Sequence, residues 1–180
     1  IHDGSITYET MIETYNSDLA NTLGNLVNRT ISMSHKYFDG KVLRGEKDDK
    51  YDKELQDLAI SAIKQVEEKL EIYKVSDAIK IIINLAKACN KYIDLTTPWV
   101  LAKDESKKDV LDTVLYNLCE SIRIFSTLIN PIMNTTAKKI YAQMGIEGEE
   151  LTNWESTATF GLIKPGTKVT KGEILFQRLD

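Results

Sequence analysis

The stretch SDLANTLGNLVNRTISMSHKYFDG, residues 17–40, has the pattern of one long helix. Its core-facing residues recur at steps of three and four, which is the spacing of one face of an α-helix. They are Leu19, Leu23, Leu26, Thr30, Met33 and Tyr37. Ser17 is a good N-cap for this helix, and Gly40 stands where the chain must leave it. A shorter helix is predicted before it, from Ser5 to Tyr15.

Four further helices are predicted downstream by the same spacing. They run from Tyr51 to Leu70, from Ser76 to just before Pro98, from Lys107 to Pro131, and from Ile132 to Met144. The two prolines should end or kink their helices. Residues 151–180 have no helical period and contain a Pro-Gly turn signal. The predicted fold is therefore all-α: an antiparallel bundle of about five helices with an irregular C-terminal tail.

Composition and charge limit the classes of function. The chain has 42% hydrophobic and 28% charged residues, as soluble globular proteins do, and a net charge of -4. That charge argues against a protein that coats nucleic acid through phosphate contacts alone, but it leaves local recognition of exposed bases open. No apolar run is long enough for a membrane span, and no signal peptide is recognised. We therefore expect no membrane partner, and the two free thiols described next indicate a reducing, cytoplasmic location.

The chain has only two cysteines and two histidines, and neither pair has the spacing of a metal site. Cys89 and Cys119 stand far apart in apolar helical stretches, so we predict two buried free thiols. Neither histidine follows a glutamate by three residues, which excludes the paired motif of a di-iron bundle.

The polar side of the helix over residues 17–38 is unusual. Asn21, Asn25 and Asn28 follow helical spacing, and Arg29 is a neighbour of Asn25 on one face. No acidic residue lies between Asp18 and Asp39. A solvated face normally uses Glu and Lys, because asparagine is a mediocre helix former. Two interpretations stay open: the amides tie off backbone ends while Gly24 permits a close helix contact, or the amides and the guanidinium recognise base edges.

A second basic stretch, residues 85–103, contains Lys91, Lys103 and Trp99, with one acid. Trp99 follows Pro98 at a predicted helix end. An indole in that position either closes the end of the core or stacks on an unpaired base. From the residues alone, both interpretations remain open.

Four stretches of the sequence together resemble the anticodon-binding domain of methionyl-tRNA synthetases, a family of class I aminoacyl-tRNA synthetases. They are SDLANTLGNLVNRT (17–30), KYFDG (36–40), NKYIDLTTPWVLAK (90–103) and GLIKPGTKV (161–169) with the closing LFQRLD (175–180). They occur in the family's order, and the similarity covers essentially the whole chain. The first stretch alone would indicate only a related class I synthetase. The tail and the proline-tryptophan segment point to the methionine enzymes.

The resemblance implies roles for particular residues. Asn25 and Arg29 match the asparagine and arginine that contact the anticodon, and Trp99 matches the tryptophan that stacks on its first base, a cytosine. Asn21, Asn28, Lys91 and Lys103 are further candidates on the same stretches. The partner implied is the anticodon stem-loop of tRNA(Met), with the anticodon CAU.

The resemblance also implies what lies elsewhere. The family's ATP-binding signatures, which are like His-Ile-Gly-His and Lys-Met-Ser-Lys-Ser, are not in this sequence. We expect ATP and Mg to be used by a catalytic domain of the parent enzyme, and this chain to bind no cofactor and to be inactive alone. Residues 1–15 would be the connector from that domain, 16–150 the anticodon-binding domain, and 151–180 a tail packed on the bundle. The chain starts with isoleucine, and the family's dimerisation barrel is missing, so we expect a monomeric piece of a longer protein.

Two alternatives compete with this interpretation. A sister synthetase for isoleucine, valine, leucine or cysteine would share the helical bundle but not the tail. A stand-alone helical interaction module would show an exposed apolar stripe instead of a stripe of amides and bases.

Overall fold

The computed structural model describes residues 8–177 and residue 179. The start of the predicted first helix, residues 5–7, and residues 1–7 of the predicted connector lie outside that part. The described residues form five long helices, several short helical turns and one two-stranded sheet. The predicted all-α bundle with an irregular tail is confirmed. No helix in the described part of the chain is long and apolar enough to cross a bilayer.

The first helix is continuous from Tyr8 to Phe38. It consists of α1 (Tyr8–Thr14), a π-helical segment (Tyr15–Gly24) and α2 (Asn25–Phe38), and the backbone is helical at both junctions. The N-cap predicted at Ser17 is therefore wrong. Ser17 lies inside the π-helical segment, where its carbonyl accepts a hydrogen bond from the Thr22 hydroxyl at 3.0 Å. The predicted end of this helix at Gly40 is confirmed. Asp39 and Gly40 both adopt positive φ, and the Gly40 N–H donates to the Ser34 carbonyl.

The remaining long helices are α3 (Asp52–Glu71), α4 (Val75–Thr96), α6 (Lys108–Ile129) and α7 (Asn134–Met144). The helical structure is interrupted near both prolines, as predicted. α4 ends two residues before Pro98, which then starts the short helix α5 (Pro98–Leu101), and Pro131 lies in the turn between α6 and α7. α6 is the central helix, because every residue from Thr113 to Ile129 is buried.

Short elements fill the connections. 3₁₀ turns cover Glu105–Lys107 and Trp154–Ala158, and α8 spans Glu149–Thr152. Strand β1 (Lys41–Val42) pairs antiparallel with β2 (Thr167–Lys168), with Lys41 opposite Lys168. The sheet therefore joins the exit of the first helix to the tail.

A buried ion pair fastens the tail to α6. Glu120 and Arg123 are fully buried, with Arg123 Nη2 3.0 Å from Glu120 Oε2. The Glu120 carboxylate also accepts the backbone N–H groups of Gly161 and Ile163 at 2.8 and 2.7 Å. Arg123 donates to the carbonyls of Ser156 and Thr159. Each charge thus has several partners on the tail, which offset its burial.

The predicted pair of buried free thiols is confirmed. Cys89 and Cys119 are buried and unbonded to each other. Burial raises the pKa of each thiol to about 12. Both are therefore protonated at neutral pH and contribute packing.

Candidate nucleic-acid interface

The predicted asparagines form one row on the first helix. Asn21, Asn25 and Asn28 are all exposed and line one side of a groove of about 480 Å³. Tail residues 171–176 line the other side. We call this the amide groove. The structure thus brings these three residues together, as their spacing predicts.

The helical register changes within the row, between Asn21 and Asn25. The Asn25 N–H donates to Ala20 five residues back, the spacing of a π-helix, and from Asn25 onward the helix is α. π-helical turns inside α-helices are frequently found at functional sites. Gly24, just before this change, lies against the Phe176 side chain, 3.4 Å from where its own Cβ would be. The close contact expected of Gly24 is therefore present, and its partner is the tail.

Arg29 points away from the amide groove, towards α4. Its Nη1 lies 3.3 Å from Asn90 Oδ1 and its Nη2 lies 3.0 Å from Asp94 Oδ1. The Arg29 side chain stays 30% exposed. A guanidinium carries five N–H donors in a fixed plane, so these two bonds hold the group in place and leave donors free.

Asn90 connects the two helices behind Arg29. Its amide nitrogen donates to the Thr22 carbonyl at 3.2 Å and to the Ala86 carbonyl at 3.3 Å, while its oxygen accepts from Arg29. Sequence reasoning missed both Asn90 and Asp94 as partners of Arg29. No local signal could have identified them, because Arg29 lies 61 and 65 residues away from them in the chain.

Trp99 is presented to solvent on a strained turn. Thr97 has a φ of 45°, which is rare for a β-branched residue, and the buried Pro98 follows it. The Trp99 side chain is 43% exposed, and Val100 beside it is 48% exposed. An indole that closed the core would be buried. Backbone strain of this kind persists where the surrounding structure enforces it, often at functional sites.

Residues on both sides of Trp99 in the chain face the first helix. Asp94, five residues before Trp99, bonds Arg29. Leu101, two residues after Trp99, shares a hollow of about 230 Å³ with Lys36 and Tyr37 of the first helix. Trp99 therefore lies between two points at which the α4–α5 segment faces the first helix.

The weaker candidates occupy different places. Lys103 is exposed in the turn after α5. Lys91 lines a small hollow between α3 and α4, together with Leu58 and Leu95, so it faces neither Trp99's turn nor the amide groove.

The surface is less positive than its sequence suggests. Asp94 lies 3.0 Å from Arg29, and Asp18 lies 3.2 Å from Lys87. Folding thus places acids from other segments beside two of the basic groups. The exposed groups include the asparagine amides, the Trp99 indole and the partly paired Arg29 guanidinium together with the Lys103 ammonium, a set that offers hydrogen bonds and stacking as well as contact with phosphate. No group of three or more potential metal ligands occurs among the described residues.

The chain is similar to known proteins in sequence. Residues 52–173 match the family described as the anticodon-binding domain of tRNA ligase. A methionine–tRNA ligase of Caldanaerobacter subterraneus subsp. tengcongensis is 49% identical over 178 residues, which are 99% of this chain and 28% of that protein. The methionine–tRNA ligase of Bacillus subtilis is 44% identical over 180 residues, 27% of its length.

Solved structures are similar over nearly the whole chain. The apo crystal structure of Mycobacterium tuberculosis methionyl-tRNA synthetase superposes with a TM-score of 0.89 at 29% identity, covering 97% of this chain and 35% of that one. The same enzyme bound by methionyl-adenylate gives a TM-score of 0.87. This chain spans between a quarter and a third of the length of the curated relatives it matches. The family match covers most of the chain, and the relatives cover nearly all of it. The chain therefore belongs to the anticodon-binding domain family of tRNA ligases and is homologous to that part of the methionine–tRNA ligases.

Proposed function

We propose that this chain recognises the CAU anticodon of tRNA(Met) as part of a methionine–tRNA ligase. The observation that carries the proposal is the exposed Trp99 in the α4–α5 segment, which contacts the first helix through Asp94 and Arg29, while the same helix carries a row of exposed asparagine amides. In an anticodon loop the bases are unpaired, so their edges and faces can both be reached. The proposed surface offers partners for each.

Each residue would act through its own chemistry. The Trp99 indole stacks on the first anticodon base, a cytosine, and its exposure on the α5 turn supports this. The Asn25 amide and the free donors of Arg29 bind base edges, because both groups offer hydrogen bonds at fixed geometry. Lys103 binds phosphate near Trp99. Asn21 and Asn28 extend the amide row, and Lys91 contributes only general attraction from its separate hollow.

Arg29 would be held ready for RNA by α4. Asn90 and Asp94 fix the guanidinium plane before RNA arrives, which reduces the entropy lost on binding. The Asp94 carboxylate is exposed, so the cost of weakening its bond to Arg29 is small.

The catalytic chemistry would belong to the remainder of a longer, cytoplasmic parent chain. We propose that residues 1–15 connect to a catalytic domain that uses ATP and Mg to attach methionine, that 16–150 form the anticodon-binding domain, and that 151–180 form its tail. The similarity to only about 28% of the length of a methionine–tRNA ligase supports a longer parent chain that carries the catalytic domain elsewhere. The 180-residue chain alone would be monomeric and inactive in methionine-dependent pyrophosphate exchange.

The test compares two RNA hairpins that differ in one base. Binding of the chain is measured by fluorescence anisotropy with a CAU anticodon hairpin and with one whose first anticodon base is changed. We expect the CAU hairpin to bind more tightly, and a shallow salt dependence because few phosphates are neutralised. Equal binding of the two hairpins would refute the proposal.

A further inference from the structure

Two lysines stand side by side on the small sheet. Strand β1 pairs antiparallel with β2, and the register places Lys41 directly opposite Lys168. We call these two residues the lysine pair. Residues opposite each other in an antiparallel sheet have Cβ atoms only about 4.5–5.5 Å apart, so their side chains interact, and like charges in this position are destabilising. The lysine pair therefore does not stabilise the sheet that carries it.

Packing fixes both lysines on the outer face of the sheet. Their chain neighbours Val42 and Val169 are buried, and successive residues of a strand point to opposite faces. Lys41 and Lys168 are accordingly exposed. The Ser34 hydroxyl donates to the Lys41 carbonyl at 3.0 Å. A slip of the register by one residue would bury the lysines and expose the valines, so the core holds the two charges together.

The ammonium groups of the lysine pair have no carboxylate partner. Among the described residues, neither lysine forms an ion pair within 4.0 Å. Two acids lie in neighbouring segments: Asp39, just before β1, and Glu147, which follows the end of α7, where Gly145 lies against the Lys168 backbone. Both acids are exposed, and within the described part of the chain neither belongs to an ion pair. The lysine pair thus presents two unneutralised positive charges in a chain whose net charge is -4.

The lysine pair follows one end of the amide groove. On the helix side the groove reaches Ile31, and Ser34, about one turn further, bonds the backbone of Lys41. On the tail side the groove reaches Lys171, three residues after Lys168. The pair is therefore next to the surface proposed for the anticodon, and it belongs to elements that the resemblance gives no role in binding.

We infer that the lysine pair binds the phosphate backbone of the RNA outside the anticodon bases. Two ammonium groups that are held together without a carboxylate gain most from an anion that contacts both. An RNA strand supplies such anions along its whole length, and lysine is a common partner for them. Contacts to phosphate carry no base information directly, so the pair strengthens binding without selecting the anticodon. The inference rests on the proposed function and adds the sheet to the binding surface.

The first experiment measures how binding of the CAU hairpin depends on salt. Lys41→Gln and Lys168→Gln should each lower the slope of log Kd against log salt by about 0.7–0.9, the value for one phosphate contact. The loss of affinity relative to the unchanged chain should then shrink about threefold between about 50 and 200 mM salt. Lys64→Gln is the matched control, since Lys64 is an exposed lysine of α3 with no ion pair among the described residues. Slopes equal to that of the control would overturn the inference.

The second experiment asks whether the lysine pair contacts a base. Binding is compared for the CAU hairpin and for the hairpin whose first anticodon base is changed. Each lysine variant should weaken both hairpins by the same factor, because the two RNAs have the same backbone. Trp99→Ala should instead reduce the preference for CAU. A lysine variant that reduced this preference would contradict a site for the backbone alone.

The third experiment separates binding from a role in the fold. Lys41 lies just past the C-terminal end of α2, where a positive charge favours the helix dipole. Lys41→Glu places opposite charges across the sheet, which stabilises the pair of strands. The melting temperature at low salt should therefore stay the same or rise, while hairpin binding falls further than with Lys41→Gln. A lower melting temperature, with binding equal to that of Lys64→Glu, would show that Lys41 serves the helix end and would refute the inference.

The outcomes separate the two proposals. If the unchanged chain prefers CAU over the changed first base but the Lys41 and Lys168 variants match the Lys64 controls, only the backbone site is refuted. If that preference is absent in the unchanged chain, the proposed function itself fails.

Discussion

Replacing Arg123→Met tests whether the buried ion pair fastens the tail to the bundle. The change keeps most of the side-chain volume but leaves the Glu120 carboxylate buried without its cation. Glu120 then retains two backbone donors, at 2.8 and 2.7 Å, and the tail carbonyls of Leu151, Ser156 and Thr159 lose the donors that Arg123 supplied. Removal of one partner from a buried pair costs about 3–5 kcal/mol.

The measurement is urea unfolding followed by circular dichroism, together with a thermal melt. At roughly 2–4 °C per kcal/mol for a chain of this size, we expect the melting temperature to fall by roughly 6–20 °C. Glu105→Gln is the matched control, since Glu105 and Lys108 have the same three-residue spacing but are exposed. That control should cost less than about 1 kcal/mol.

A double substitution separates the cost of the unpaired charge from the cost of the lost side chain. If Glu120→Gln is added to Arg123→Met, the buried charge disappears, so the double variant should lose less than the sum of the two single losses. A loss below about 1 kcal/mol for Arg123→Met, or strictly additive losses, would show that the tail is not held by this pair.

Three further predictions concern the interface and the pH dependence of stability. Trp99→Ala should weaken CAU hairpin binding by ~1–3 kcal/mol with little change in melting temperature, because the indole is already 43% exposed; a large fall in melting temperature would mean that Trp99 belongs to the core. Asn90→Ala should cost about 1–3 kcal/mol of unfolding free energy, since Thr22 and Arg29 lose a partner, and unchanged urea unfolding would contradict this. Burial, together with the negative charge of Asp109, raises the pKa of Asp112 to about 6. The folded state therefore favours the protonated acid, and this group makes the fold less stable as pH rises from about 4 to about 6. Asp112→Asn should remove that loss, so it should stabilise the chain more at pH 7 than at pH 4; an equal effect at both would refute the assignment.

The local sequence pattern was sufficient to predict most of the helices, but it did not predict where the first helix begins or its π-helical segment. The three- and four-residue spacing around Leu23 and Leu26 predicts the first helix because a buried face leaves that period in any sequence. Ser17 was misplaced as an N-cap because its residue type favours helix starts, whereas the π-helical segment depends on packing. Strand pairing of Lys41 with Lys168 also escaped prediction, since two-residue strands carry no period.

Helix spacing also predicted one part of the candidate site and not another. The spacing of Asn21, Asn25 and Asn28 predicted that they share a face, and the structure places them in one groove. The spacing of Arg29 and Asn25 predicted neighbours on one helix face, yet Arg29 turns to α4. Long, flexible side chains choose partners by what the fold brings near, which helix spacing does not contain.

The sequence by itself determined the helical class, the positions of the main breaks, and the residues through which the chain resembles its relatives. These follow from residue identity and short-range periodicity, which are properties of the chain before it folds. Only the tertiary structure decided that Asn90 and Asp94 hold Arg29, that the Thr97 turn exposes Trp99, and that the tail closes the amide groove. Each of these depends on contacts or backbone geometry that packing imposes, and packing joins segments that are distant in the sequence.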